Sequence, residues 1–234
     1  MEVASYFFWK GTPCIVTLLD FTKAFDKCKF DILFGKLVER NVPVVVVRVL
    51  MFVYEEQQAW VKWGKARSRT FRIVNGTRQG SVLSPALFSV YMDNLIVKLR
   101  TSGVGCHIGG VFCGVVGYAD DLLLMAPSRS AMETMLSICE SYAGDNNLEF
   151  STDPNPEKSK SKCIFMCGHL KTAKPANRLY GVDLPWVNTA THLGNELSWE
   201  CTMDEDMKCK RGSFIGRSTE VREMFGFGQS SHIF

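Results

Sequence analysis

Two adjacent aspartates set inside an apolar run constrain this chain more than any other feature. VFCGVVGY (111–118) precedes Asp120-Asp121 and LLLMA (122–126) follows, so the two acids interrupt what otherwise reads as buried strand. Side chains on a continuous strand point alternately to opposite faces. Neighbouring aspartates can therefore aim at one point only where the chain turns. A hairpin is expected, with arms 111–118 and 121–126 and a turn at Ala119-Asp120. Two buried carboxylates repel each other and are costly without a cation, and a divalent metal is the simplest compensation.

A third acid repeats the pattern. CIVTLL (14–19) is a short apolar run that ends at Asp20. Three carboxylates brought together at strand ends suit Mg²⁺, a hard cation that prefers oxygen ligands. Two such ions about 4 Å apart stabilise the attacking and leaving oxygens of an in-line phosphoryl transfer. Spacing alone leaves a plainer reading open, in which Asp20 caps the following helix and Asp120-Asp121 make a polar turn.

The rest of the chain alternates between strand and helix patterns. Phe30, Leu33, Phe34, Leu37 and Val38 recur at helical spacing. Residues 44–56 are ambiguous, because four consecutive valines favour a strand while length and the closing Glu55-Glu56 favour a helix. AWVKW (59–63) and RTFRIV (69–74) predict a hairpin joined by Gly64-Lys65-Ala66. Ser84-Pro85 places a capping hydroxyl before a proline at the first helical position. The apolar stripe Leu87, Phe88, Tyr91, Met92, Leu95, Ile96 and Leu99 then predicts a helix over 85–100. Another is expected over about 130–145, with Met132, Met135, Leu136, Cys139 and Tyr142 inward. DPNPEKSKSK (153–162) reads as a polar loop and a plausible boundary, followed by short strands at 163–166 and 192–197 and a basic segment at 203–224. The pattern indicates α+β or α/β with a mixed sheet.

Composition narrows the function classes. At 46% hydrophobic and 22% charged residues the chain is an ordinary globular protein, and its longest apolar stretch, 42–54, is interrupted by Pro43 and Arg48 and too short to span a bilayer. The net charge of +3 does not announce a nucleic-acid binder. Arg67, Arg69, Arg72 and Arg78 cluster, as do Lys158, Lys160 and Lys162, though such clusters are ordinarily solvated faces. Nine scattered cysteines, with no signal peptide before them, read as reduced and mostly buried thiols of an intracellular protein. Cys163, Cys167 and His169 have a C-x₃-C-x-H spacing that lacks a second ligand pair for zinc.

LLDFTKAFD (18–26), NGTRQGSVLSPALFSVYMD (75–93) and YADDLLLM (118–125) resemble successive motifs of reverse transcriptases, those of non-LTR (LINE-type) retrotransposons above all. KSKSKCIFM (158–166) resembles the family's lysine-bearing motif, and THLGNEL (191–197) the hairpin that grips the primer end. The resemblance runs over about residues 9–200, in family order. It implies an α+β polymerase palm with a mixed or antiparallel sheet, partial fingers, and the start of a thumb or a truncated tail over 201–234. It implies an RNA-directed DNA polymerase working on RNA template, DNA primer and dNTP, with two Mg²⁺ ions (Mn²⁺ a possible substitute) on Asp20, Asp120 and Asp121. Phe25 matches the gate against a ribose 2′-hydroxyl; Arg78, Gln79 and Gly80 match the segment along nucleotide and template. Lys160 is the best match for the later lysine, with Lys158 and Lys162 close by. Only nineteen residues precede Asp20. Family members carry a longer fingers region and a targeting endonuclease, so a truncated, inactive nucleic-acid-binding domain is the alternative. An RNA-dependent RNA polymerase shares the carboxylates, and Phe25 argues against it.

Overall fold

The computed structural model describes residues 2–78, 80–153, 155, 157–166 and 177–200. In chain order the first half runs α1 (Glu2–Trp9), β1 (Cys14–Asp20), α2 (Ala24–Lys27), α3 (Phe30–Glu39), α4 (Val44–Glu55), β2 (Gln58–Ala59), β3 (Lys62–Trp63), β4 (Ala66–Arg67), β5 (Phe71–Arg72) and α5 (Ser84–Thr101). The second half runs β6 (His107–Ile108), β7 (Val111–Phe112), β8 (Val115–Tyr118), β9 (Asp121–Ala126), α6 (Arg129–Asp145), β10 (Lys162–Met166), β11 (Arg178–Leu179), β12 (Val182–Asp183), β13 (Thr189–His192) and β14 (Asn195–Ser198).

The centre is a four-stranded antiparallel sheet in the order β10-β1-β9-β8. Its central strands β1 and β9 read as continuous apolar runs because both their faces are covered. Ile15 and Leu19 of β1, with Leu122, Leu124 and Ala126 of β9, join the core built by α3, α5 and α6. Val16 and Leu18, with Leu123, Met125 and Ile164, join a second core with Ala4 and Phe7 of α1 and Leu197 of β14. The one parallel pairing among the described residues is an isolated bridge, Cys163 to Trp186. The architecture is an α+β palm rather than an α/β fold.

α5 buries Leu87, Phe88, Tyr91, Met92, Leu95 and Leu99, and α6 buries all five of its expected inward residues. Their contact is pinned by polar atoms as well. Tyr91 Oη donates to the Asn146 carbonyl, Tyr142 Oη donates to that of Tyr91, and the buried Lys36 Nζ donates to Tyr142 Oη at 2.7 Å. Residues 44–55 resolve as helix, anchored by Val47 and Tyr54.

Several expectations need correcting. Ser84 is not the cap of α5: Leu83 holds that position, and Ser84 Oγ donates to the Arg78 carbonyl at 2.6 Å, tying the preceding loop to the helix. Asp20 does not cap a helix, since Lys23 stands at the start of α2. Val38 faces outward, 55% exposed. The arm 111–118 splits, because Cys113 N–H bonds back to the Cys106 carbonyl; β7 then pairs with β6, and only 115–118 pairs with β9. In the 58–72 hairpin the turn is Gly64-Lys65 alone, with Ala66 already paired to Trp63. The 153–162 loop separates no domains, for β10 after it pairs with β1. Cys163 is fully buried, within reach of Thr17 Oγ1 and Asn177 Nδ2. Cys167, His169, the basic segment 203–224 and the thumb or tail over 201–234 lie outside the described residues.

Candidate active site

Antiparallel register brings the acids together. Asp20, the last residue of β1, is the direct cross-strand partner of Asp121, the first residue of β9. Cross-strand partners share a face. Asp20 and Asp121 extend the Leu18 and Leu123 row, on the side of the sheet that carries α1 and the β13–β14 hairpin. Asp120 occupies the two-residue turn between Tyr118 and Asp121, where Ala119 adopts φ 52°. An alanine there is strained, and such strain concentrates where a turn must aim a side chain.

Asp20 is fixed through its backbone: its N–H donates to Ser161 Oγ at 3.2 Å, and its carbonyl accepts from Ser151 N–H at 2.7 Å. Its Oδ2 is shielded from solvent and accepts no hydrogen bond among the described residues. Lys160 Nζ stands 3.5 Å from that oxygen, an ion pair too long to be a good hydrogen bond. Burial raises the Asp20 pKa above its ordinary 3.8; the Lys160 ammonium opposes this, and the charges of Asp120 and Asp121 add to it. Lys160 is thus the lysine of the 158–162 run that meets the acids. Lys162 sits in β10 opposite Leu18, and Lys158 is exposed.

Phe25 is half-buried, its ring backed by the buried Phe88 at a centroid distance of 4.8 Å. It borders an open cleft of about 430 Å³ together with Gly80, Ser81, Ser84, Pro85 and Asp120. Gly80 has φ 81°, and a Cβ there would meet nothing within 4 Å, so its conformation rather than crowding calls for glycine. Arg78 is exposed beside it; Gln79 lies outside the described residues.

Sequence reasoning missed the strap that holds Phe25. Thr77 N–H donates to the Phe25 carbonyl at 2.7 Å and Gly76 N–H to that of Cys28 at 2.8 Å. Gly76 has φ 93°, with the Asp26 and Phe25 backbones 3.1 Å from where a Cβ would stand. Asn75-Gly76 carried a turn signal, though not its partner. His192, at the tip of the β13–β14 hairpin, was also missed. It lines a pocket with Val16, Val116 and Leu123, on the face of the sheet that carries the carboxylates; burial lowers its pKa while the charge of Asp121 opposes the shift.

The residues fit a cation in part. A paired, partly desolvated Asp20 and Asp121 with an unsatisfied oxygen are the donors a hard ion takes. Yet among the described residues no three Asp, Glu, His or Cys side chains gather closely enough to hold a metal unaided. Mg²⁺ commonly binds through one or two carboxylates plus waters and substrate phosphates, and Asp20 and Asp121 are two carboxylates on one face of the sheet.

An antiparallel sheet presenting carboxylates at a strand end and the facing hairpin turn, beside a nucleotide-sized cleft, defines the palm of a template-directed polymerase. Residues 5–197 match the family described as reverse transcriptase (RNA-dependent DNA polymerase), and the chain belongs to that family. It is 29% identical over 159 residues to the retrovirus-related Pol polyprotein of the type-1 retrotransposable element R2 of Nasonia vitripennis, covering 68% of this chain and 15% of that protein. It is 26% identical over 215 residues to the probable RNA-directed DNA polymerase from transposon BS of Drosophila melanogaster, covering 89% and 23%. Telomerase of Candida tropicalis, solved with a TWJ fragment of telomeric RNA, superposes with a TM-score of 0.57 at 12% identity, over 87% of this chain and 32% of that one. That likeness concerns the fold. No helix among the described residues is long and apolar enough to cross a membrane.

Proposed function

We propose that this chain carries the nucleotidyl-transfer centre of an RNA-directed DNA polymerase, joining a dNTP to a primer 3′-hydroxyl on an RNA template. The observation that carries the reading is the single cleft that joins Phe25 and Gly80 to Asp120, next to the Asp20–Asp121 pair. Asp20, Asp120 and Asp121 would hold two Mg²⁺ ions (Mn²⁺ a possible substitute), which supply charge stabilisation to the attacking and leaving oxygens. The ring of Phe25, braced from behind by Phe88, fills the space a ribose 2′-hydroxyl would need. Gly80 would lie along the incoming nucleotide and template, the role the family resemblance also implies for Gln79, and the exposed Arg78 would meet phosphate. Lys160, whose Nζ stands 3.5 Å from Asp20 Oδ2, would offset charge there in the free protein and donate a proton toward departing pyrophosphate. The β13–β14 hairpin, whose His192 shares a pocket with Leu123 on the face that carries Asp121, would steady the primer end.

Primer extension on poly(rA)·oligo(dT) with dTTP tests the reading. Incorporation is expected with parent protein and absent with Asp120→Ala, while Phe25→Ala raises ribonucleotide incorporation. Well-folded protein that extends nothing at any Mg²⁺ or Mn²⁺ concentration would leave a nucleic-acid-binding domain without polymerase activity.

A further inference from the structure

Between Glu56 and Asp93 the chain has no acidic residue, yet it carries Lys62, Lys65, Arg67, Arg69, Arg72 and Arg78. With a net charge of only +3 overall, the remaining residues together are net negative. The fold concentrates most of this basic run on one projecting arm, the hairpin of β2 to β5. Its ladders are two residues long, and all of residues 60–72 are exposed. Among the described residues only Arg72 of the arm has an acidic partner, Glu56 at 3.6 Å. Lys62 and Arg67 are cross-strand partners and share a face. Alternation puts Trp60 on that face, and the Arg67 guanidinium lies 3.7 Å from its ring centroid. On the other face Trp63 stands 85% exposed, beyond the packing of any core.

Exposed cations alone would be a solvated surface. Two indoles kept in water on the same arm make a different surface, because flat rings interleaved with unpaired cations suit unpaired bases and their phosphates. Arg stacked on an indole is both a charge and a planar platform. We propose that the 58–72 hairpin is a binding arm for single-stranded nucleic acid, stacking bases on Trp60–Arg67 and Trp63 and holding phosphates with Lys62, Lys65 and Arg69. The basic run continues through Arg72 to Arg78, two positions before Gly80 of the cleft. The strand held is therefore the template before it pairs, an identity that rests on the polymerase reading, whereas the binding does not.

The test is fluorescence anisotropy of fluorescein-labelled oligo(rU) with the whole chain, titrated with salt. Trp63→Ala is expected to weaken binding about tenfold with the salt slope nearly unchanged, and Trp63→Phe to restore most of it. Lys65→Gln with Arg69→Gln should flatten the slope of log K against log salt by about 1.4, two phosphate contacts' worth. Unchanged oligo(rU) binding in these variants overturns the proposal. So does arm-dependent binding of phosphatidylserine vesicles without any to oligo(rU), which would make the surface a membrane contact. Arm-dependent RNA binding in a chain that extends no primer sinks the polymerase reading and leaves the arm standing. Extension by a chain whose RNA affinity ignores the arm does the reverse.

Discussion

β1 and α4 are both strongly apolar in sequence, and the fold treats them differently. Six of the seven residues of β1 are buried, and its strand partners are buried almost as completely. In α4, VVVVRVLMFVYE, only Val47 and Tyr54 are buried. Val44, Val45 and Phe52 are each at least 66% exposed, and the hairpin that follows has no core of its own. The palm thus closes on itself around the carboxylates, while the segment after α3 has more apolar surface than the described residues cover. A helix apolar nearly all round ordinarily packs on two sides. The site-bearing sheet can therefore draw its rigidity from within this chain, and α4 contributes to it mainly through Val47 and Tyr54.

The largest effect should come from the sheet. Leu124→Ala, at a fully buried position in the middle of β9, is expected to cost about 3–4 kcal/mol of unfolding free energy by urea titration. Phe52→Ala, a larger truncation on the outer face of α4, should change stability by no more than about 0.5 kcal/mol. Equal losses would break the contrast between the two regions, because they would mean that the α4 face is packed in solution.

A middle-sized effect should come from the strap that joins them. Gly76→Ala adds a Cβ 3.1 Å from the backbones of Phe25 and Asp26, at a φ that alanine adopts only under strain. A loss of about 1–3 kcal/mol is expected. Because the strap bonds directly to the Phe25 carbonyl, discrimination between dNTP and NTP should fall as well. A loss of stability with discrimination intact would make the strap a purely structural tie.

Much of this was legible in the sequence, and the parts that were not have common causes. β1, β9, α5 and α6 declared themselves through long apolar runs or clean helical periods. The meeting of Asp20 with Asp121 followed from strand ends and a turn. Local pattern cannot report which distant backbone a residue meets, so the partners of Gly76 and Thr77 stayed hidden, as did the break at Cys113 that splits the predicted arm 111–118. Three lysines at alternate positions of one loop look alike in sequence; only the pairing of β10 with β1 brings Lys160 to Asp20. The valines of α4 kept strand and helix both open, since β-branched composition favoured one and length the other, and the contacts of Val47 and Tyr54 set a helix.

The smallest effect concerns what the site costs its own fold. Asp20 has a pKa raised above 3.8, chiefly by burial, so the native chain holds that proton more tightly than the unfolded one. Stability is then undiminished below the ordinary carboxylate value. It falls as pH rises through the interval up to the native pKa, and the full penalty stands at neutral pH. Asp20→Asn removes the charge at nearly constant shape. With its side chain still 30% exposed and Lys160 offsetting part of the penalty, the gain should stay under about 1 kcal/mol at neutral pH and vanish near pH 3.5. The same substitution should abolish primer extension and remove any rise in melting temperature that Mg²⁺ gives the parent. A less stable Asp20→Asn protein at neutral pH would show that the Lys160 ion pair outweighs desolvation. The carboxylates would then belong with the self-supporting half of the molecule, rather than being a strain that this half sustains.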